Sequence, residues 1–162
     1  MKLVPLTALA LMLAPAAFAS EINVSVSDEF QTKLDDDYGV REGDYLKQEV
    51  SDDLTRELEK AGVDVAKIEV TILDAKPSKP TFKQLGDKPG LDYGDSVSTG
   101  GMKLQAVAYD ADGNETNTFE YSWYEHDIRM TGLSTWYDAN KASNRFARNF
   151  AEELKGEDEP TN

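Results

Sequence analysis

Residues 102–125 read MKLQAVAYDADGNETNTFEYSWYE, two alternating runs joined by Asp112-Gly113. Asp-Gly between alternating runs is a strong hairpin signal, because a type I′ turn needs φ > 0 at both central residues. A two-residue loop sets Ala108 opposite Asn117, Ala106 opposite Phe119, Leu104 opposite Tyr121 and Met102 opposite Trp123. The other face then carries Tyr109–Thr116, Val107–Thr118, Gln105–Glu120 and Lys103–Ser122. One face is aliphatic against aromatic and the other mostly polar; a one-residue slip would place the aromatics beside Lys103 and Gln105. The chain therefore contains a sheet with one apolar face, which another layer must cover.

The start of the chain has Lys2, an apolar run over residues 3–13 and Ala17-Phe18-Ala19 before Ser20. This pattern predicts a secretory signal peptide over 1–19, with an apolar run too short for a comfortable transmembrane helix. No cysteine occurs, so the expected product has no disulfide and no lipid on a cleavage-site cysteine. The expected location is the bacterial periplasm or the medium, since a eukaryotic secreted domain of this size would more often carry disulfides.

Beyond the leader, 16 Lys and Arg face 31 Asp and Glu. That balance disfavours nucleic acid, whose phosphates demand a basic face, and adsorption to anionic lipid. Solubility is the plain reading of such charge, and a basic partner or a divalent cation the functional one. The expected organisation is one α/β domain over 20–156 and an acidic, frayed tail over 157–162.

Residues 21–27 alternate Ile22, Val24, Val26 with polar residues, a half-buried strand. A polar connection over 28–41 contains Phe30, Leu34 and the run Asp35-Asp36-Asp37. Asp44 is then placed to cap a helix over 44–61, with Gly62 as its C′ residue. Leu46, Val50, Leu54 and Leu58 form its apolar stripe; Asp53, Arg56, Glu57 and Lys60 are assigned to solvent. Ile68, Val70 and Ile72 mark the next strand, over 67–75. Thr135 is placed to cap a last helix over 135–155, with Asp138 at N3 and Gly156 as its stop. Trp136, Ala139, Phe146, Ala147, Phe150, Ala151 and Leu154 mark its buried face, with Lys141, Arg145 and Arg148 outside. Every strand alternates, which favours a sheet covered on one face only.

Residues 76–101 are punctuated by Pro77, Pro80, Pro89 and by Gly86, Gly90, Gly94, Gly100 and Gly101. A connection this long is usually functional or disordered, and its apolar residues favour an ordered flap. Pro77 and Pro80 should stiffen its start, while little holds 94–101. The flap and the Trp123-Tyr124 and Trp136-Tyr137 pairs nominate Leu85, Leu91, Tyr93, Tyr124 and Tyr137 as binding residues, with core packing the ordinary reading of the tryptophans.

Catalytic chemistry finds little support. His126 is the only histidine, and a relay with a serine would need an elbow motif that is missing. A solvated histidine after a strand explains it. One histidine without cysteine disfavours zinc. Residues 110–115, DADGNE, resemble the start of a calcium loop, but glycine is fourth rather than sixth and position 121 is Tyr121, so a hairpin turn explains every position. No metal or cofactor is expected, and no carboxylate pair stands out as a glycosidase pair.

The string ILDAKPSKPTFKQL at 72–85, Lys88-Pro89-Gly90-Leu91, Gly100-Gly101 and Arg-Phe-Ala-Arg at 145–148 resemble uncharacterised secreted proteins of Gram-negative bacteria. The order of elements resembles the amino-terminal domain of TolB and small envelope-lipoprotein domains, although the lipobox cysteine is missing. The resemblance implies an envelope interaction module rather than a catalyst and carries over no functional residue. The expectation is a two-layer α/β sandwich, a mixed sheet of about four strands with two helices on one face, in the order β-α-β-β-β-α. Its expected role is non-catalytic periplasmic binding of a small ligand or envelope protein, through the polar sheet face or the flap. The alternative is a hydrolase centred on His126 and nearby carboxylates.

Overall fold

The computed structural model describes residues 20–157; the expected leader, and the acidic tail beyond Glu157, lie outside the described residues. Strands β1 (Glu21–Val26), β2 (Lys67–Lys76), β3 (Gly101–Tyr109) and β4 (Glu115–Tyr124) form one sheet in the order β1-β2-β3-β4. The β1–β2 pair is parallel and the other two pairs are antiparallel. Helices α1 (Asp28–Lys33), α2 (Val40–Ala61), α3 (Phe82–Asp87) and α4 (Tyr137–Glu157) complete the chain, with a π turn at Leu34–Tyr38 and a 3-10 turn at Ile128–Met130. This is the expected two-layer plan with short helical pieces added.

Alternation decides which side of the sheet is covered. Ile68, Val70, Ile72, Leu104, Ala106 and Ala108 are buried in one core with Leu46, Val50 and Leu54 of α2 and Phe146 and Phe150 of α4. Phe119, Tyr121 and Trp123 pack against it from β4, half-buried. Phe119 stacks on Phe150 at 5.5 Å between ring centroids, and Phe146 on Phe150 at 6.0 Å. Each fully buried Leu or Phe side chain is worth about 1.5–3 kcal/mol over exposure.

The hairpin has the expected register through its body, from Met102–Trp123 to Ala108–Asn117, but not at its tip. Gly113 has φ +83°, no non-glycine residue among the described residues has positive φ, and the Gly113 N–H donates to the Asp110 carbonyl at 3.1 Å. Asp112 therefore cannot supply the second left-handed residue of a type I′ turn. The loop has three residues, with glycine at the left-handed position. Tyr109 pairs with Glu115 rather than Thr116, and Thr116 is the extra residue that restores the register below. The Asp110 carboxylate stabilises this tip by accepting from the Asp112 and Asn114 N–H groups at 2.9 and 2.8 Å. Its oxygens are committed to the turn, as the turn reading of this stretch requires.

Four helix expectations are corrected. Helix α2 begins at Val40 after Gly39, not at Asp44, because Gly43 packs inside its first turn against Leu34 and Asp44 merely pairs with Lys47 at 2.8 Å. Asp53 and Glu57 are buried rather than solvent-facing, because α4 lies across that side of α2. Helix α4 starts at Tyr137, two residues beyond Thr135, and continues through Gly156 to Glu157. Lys141 and Arg145 do not simply face outward: they lie over the Trp123 ring at 4.9 and 4.4 Å from its centroid, a cation–π arrangement.

Candidate functional site

Residues 76–80, KPSKP, leave β2 and turn inward, so that Pro77, Ser78, Lys79 and Pro80 are all buried. Buried polar groups need partners, and these find them far away in the chain. The Ser78 N–H donates to the Thr135 carbonyl at 2.7 Å, and the Ser78 hydroxyl to Asp138 Oδ2 at 2.9 Å. The same oxygen accepts the Gly100 N–H at 2.9 Å and the Thr131 hydroxyl. Asp138 is fully buried, so one carboxylate oxygen ties the start of the loop, its end, the turn before α4 and α4 itself. Gly100 is required there: a Cβ would meet the Lys76 carbonyl oxygen at 2.6 Å and Ser78 Oγ at 2.7 Å.

Two more ties hold the far side of the loop. The Ser98 N–H donates to the Ser78 carbonyl at 2.9 Å, and its hydroxyl to the Pro77 carbonyl at 2.8 Å. Lys79 Nζ donates to the carbonyls of Tyr93 and Gly94 at 2.8 and 3.1 Å and lies 5.2 Å from the Tyr93 ring centroid. The contacts across 93–100 are thus polar, which is why a count of apolar anchors finds so little holding this stretch. Helix α3 is set by Thr81 and Gln84, a capping box in which each side chain serves the other's backbone N–H, at 3.3 and 3.1 Å.

Between KPSKP and the returning loop lies a cleft of about 450 Å3. Pro77, Pro80, Leu91 and Val97 give it apolar walls, and Tyr38 closes one side from the π turn. Lys76, Lys79 and Asp95 are the charged residues in its lining. Burial raises the Tyr38 phenol above its ordinary pKa, with the negative charge of Asp74 adding to the effect. Nearby, Tyr124 donates to Asp74 Oδ2 at 2.9 Å while Lys33 pairs with Asp74 Oδ1 at 2.8 Å. Burial first, then the Asp74 charge and hydrogen bond, push the Tyr124 phenol well above the ordinary range, and the same carboxylate raises the Lys33 ammonium.

The five residues nominated from the sequence are dispersed by the fold. Leu91 lines the cleft. Leu85 is half-buried in α3, and Tyr93 is half-exposed against Lys79. Tyr124 is bound to Asp74, and Tyr137 starts α4 with its ring against Gly132. The two tryptophans find separate partners, Trp136 meeting Tyr38 edge-on at 5.7 Å and Trp123 the two cations. Lys76, Lys79, Pro77, Pro80 and Val97 were missed as site residues. The signal that could have found them is the PxxP spacing within KPSKP, two rigid residues whose apolar rings share a side.

His126 is exposed, and its N–H donates to Glu125 Oε1 at 3.0 Å. Glu125 also faces Lys141, and Asp127 is bidentate to Arg129 at 2.9 and 2.7 Å. Among the described residues no carboxylate hydrogen-bonds the His126 ring, and no group of three His, Asp or Glu residues is placed to hold a metal ion. In the cleft, Ser96 Oγ accepts from the Asp92 N–H at 3.0 Å and Ser98 Oγ serves Pro77, so neither hydroxyl is paired with a base. Ammonium groups, hydroxyls and apolar side chains together line the cleft.

No protein-family model and no curated protein matches the chain. Among solved structures, a minor lipoprotein from Acinetobacter baumannii aligns over 86% of this chain and 94% of its own, at 12% identity and a TM-score of 0.37. An overlap that loose says nothing about activity. The likeness to the TolB amino-terminal domain gains no support from these comparisons. No helix among the described residues is long and apolar enough to cross a membrane.

Proposed function

We propose that this chain is a non-catalytic binding protein of the bacterial periplasm that takes a small ligand in the cleft between KPSKP and the 91–98 loop. The observation that carries this reading is the cleft itself, about 450 Å3 with apolar walls and a few polar groups. That is the ordinary size and make-up of a small-molecule site. The buried Asp138 knot beneath it supports the reading, because a preformed site avoids the entropy of ordering a loop on binding. Export follows from the leader pattern at 1–19.

The test is amide chemical-shift mapping of the mature protein against the low-molecular-weight fraction of a periplasmic extract. Shifts confined to Leu91, Ser96 and Ser98, and abolished by Leu91→Arg, are expected. Shifts centred on the open sheet face around Gln105 and Glu120, or on His126, would move the site and defeat the proposal.

A further inference from the structure

We propose that the ligand class is an amphipathic carboxylate, its acid group on Lys76 and its apolar body against Pro77, Pro80, Leu91 and Val97; this rests on the cleft being the binding site. The chain carries 31 acidic against 17 basic residues, yet the cleft is lined by two lysines and one aspartate. Lysines around it are neutralised within the fold: Lys33 by Asp74 at 2.8 Å, Lys88 by Asp37 at 2.9 Å and Lys83 by Asp87 at 2.5 Å. Lys76 and Lys79 make no ion pair among the described residues, not even with Asp95 in the same lining.

The two lysines differ in role. Lys79 is only 5% exposed, and its ammonium meets two carbonyls and a ring face but no carboxylate. The Tyr93 and Gly94 carbonyls take up its N–H groups, and no carboxylate among the described residues pairs with it. It is a positioning residue, holding Tyr93 and Gly94. Lys76 is exposed at the mouth and free to close on an anion. Four apolar wall residues leave little for a fully hydrated anion such as inorganic phosphate, whereas a carboxylate with an apolar body uses both parts of the lining.

Three probes with one apolar body decide the matter: 4-phenylbutyrate, 4-phenylbutyramide and 4-phenylbutylamine, titrated into the mature protein with amide shifts recorded. The acid is expected to bind at Leu91, Ser96 and Ser98 at least tenfold more tightly than the amine. Lys76→Met should abolish that preference and Lys76→Arg retain it. If the amide or amine binds the cleft as well as the acid, the carboxylate inference is overturned and the cleft reading stands. If the acid leaves the cleft amides unmoved, the inference is likewise overturned, and mapping with the periplasmic fraction judges the cleft separately. A preference for the acid that survives in Lys76→Met overturns the assignment of Lys76.

Discussion

Asp138 Oδ2 accepts the Ser78 hydroxyl at 2.9 Å, joining residues 60 positions apart. The bond matters because Ser78 begins the loop that Gly100, a second donor to the same oxygen, ends. Asp138→Ala would leave the buried Gly100 N–H and Ser78 hydroxyl without their acceptor, and the half-buried Thr131 hydroxyl with only the Ser98 carbonyl. We expect a loss of about 3 kcal/mol in urea unfolding, on the scale of hydrogen bonds to a charged group and the orphaned donors left behind. A loss under about 1 kcal/mol would show that the loop is held by something else.

Lys79 is expected to act as a latch. In Lys79→Met the carbonyls of Tyr93 and Gly94 lose their donor while the stem volume is kept. Amide exchange over 92–98 should then quicken markedly, with the sheet amides unchanged. Equal exchange in both proteins would remove the latch and leave Ser98 as the main tie.

Tyr124 gives a pH signature. Its phenol is pushed up by burial and by Asp74, so the folded chain keeps a proton that the unfolded chain releases near pH 10. Between those values the native state binds more protons, so this contribution to stability is complete below about pH 10 and is lost as pH rises through the folded value. Phenolate absorbance should show Tyr124 still protonated at pH 11, and Asp74→Asn should lower its midpoint. A Tyr124 midpoint near 10 in the wild type would contradict the half-buried Tyr124–Asp74 contact.

Phe150 is fully buried and stacks on both Phe119 and Phe146. Phe150→Ala removes the ring that joins α4 to β4, and a loss of about 3–5 kcal/mol is expected from burial and the cavity left behind. Thermal and urea unfolding check it. A change under about 1 kcal/mol would mean that α4 is held to the sheet mainly by other contacts.

What the sequence determined by itself is whatever depends on local period. Alternation in β2, β3 and β4 chose the covered face, and small-opposite-large pairing chose the hairpin register from Met102 to Ala108. The four-residue recurrence of Leu46, Val50, Leu54 and Leu58 chose the buried stripe of α2, and Gly62, at φ +69°, ends that helix as placed. These signals are legible because each is a repeat of side-chain direction along one element.

The tertiary structure decided everything that needs two distant segments to meet. Asp53 reads as a solvent residue on α2, yet it is buried because Ser143 of α4 donates to it at 2.7 Å. Asp138 reads as the N3 residue of a capping box and instead gathers Ser78, Gly100 and Thr131. The cleft depends on the same meeting. Pro77, Leu91 and Val97 have no common period, and only the polar ties of Asp138, Ser98 and Lys79 fold the loop back so that they face one space. Hydrogen bonds between remote groups leave no periodic trace in a sequence, because their partners are chosen by the path of the chain.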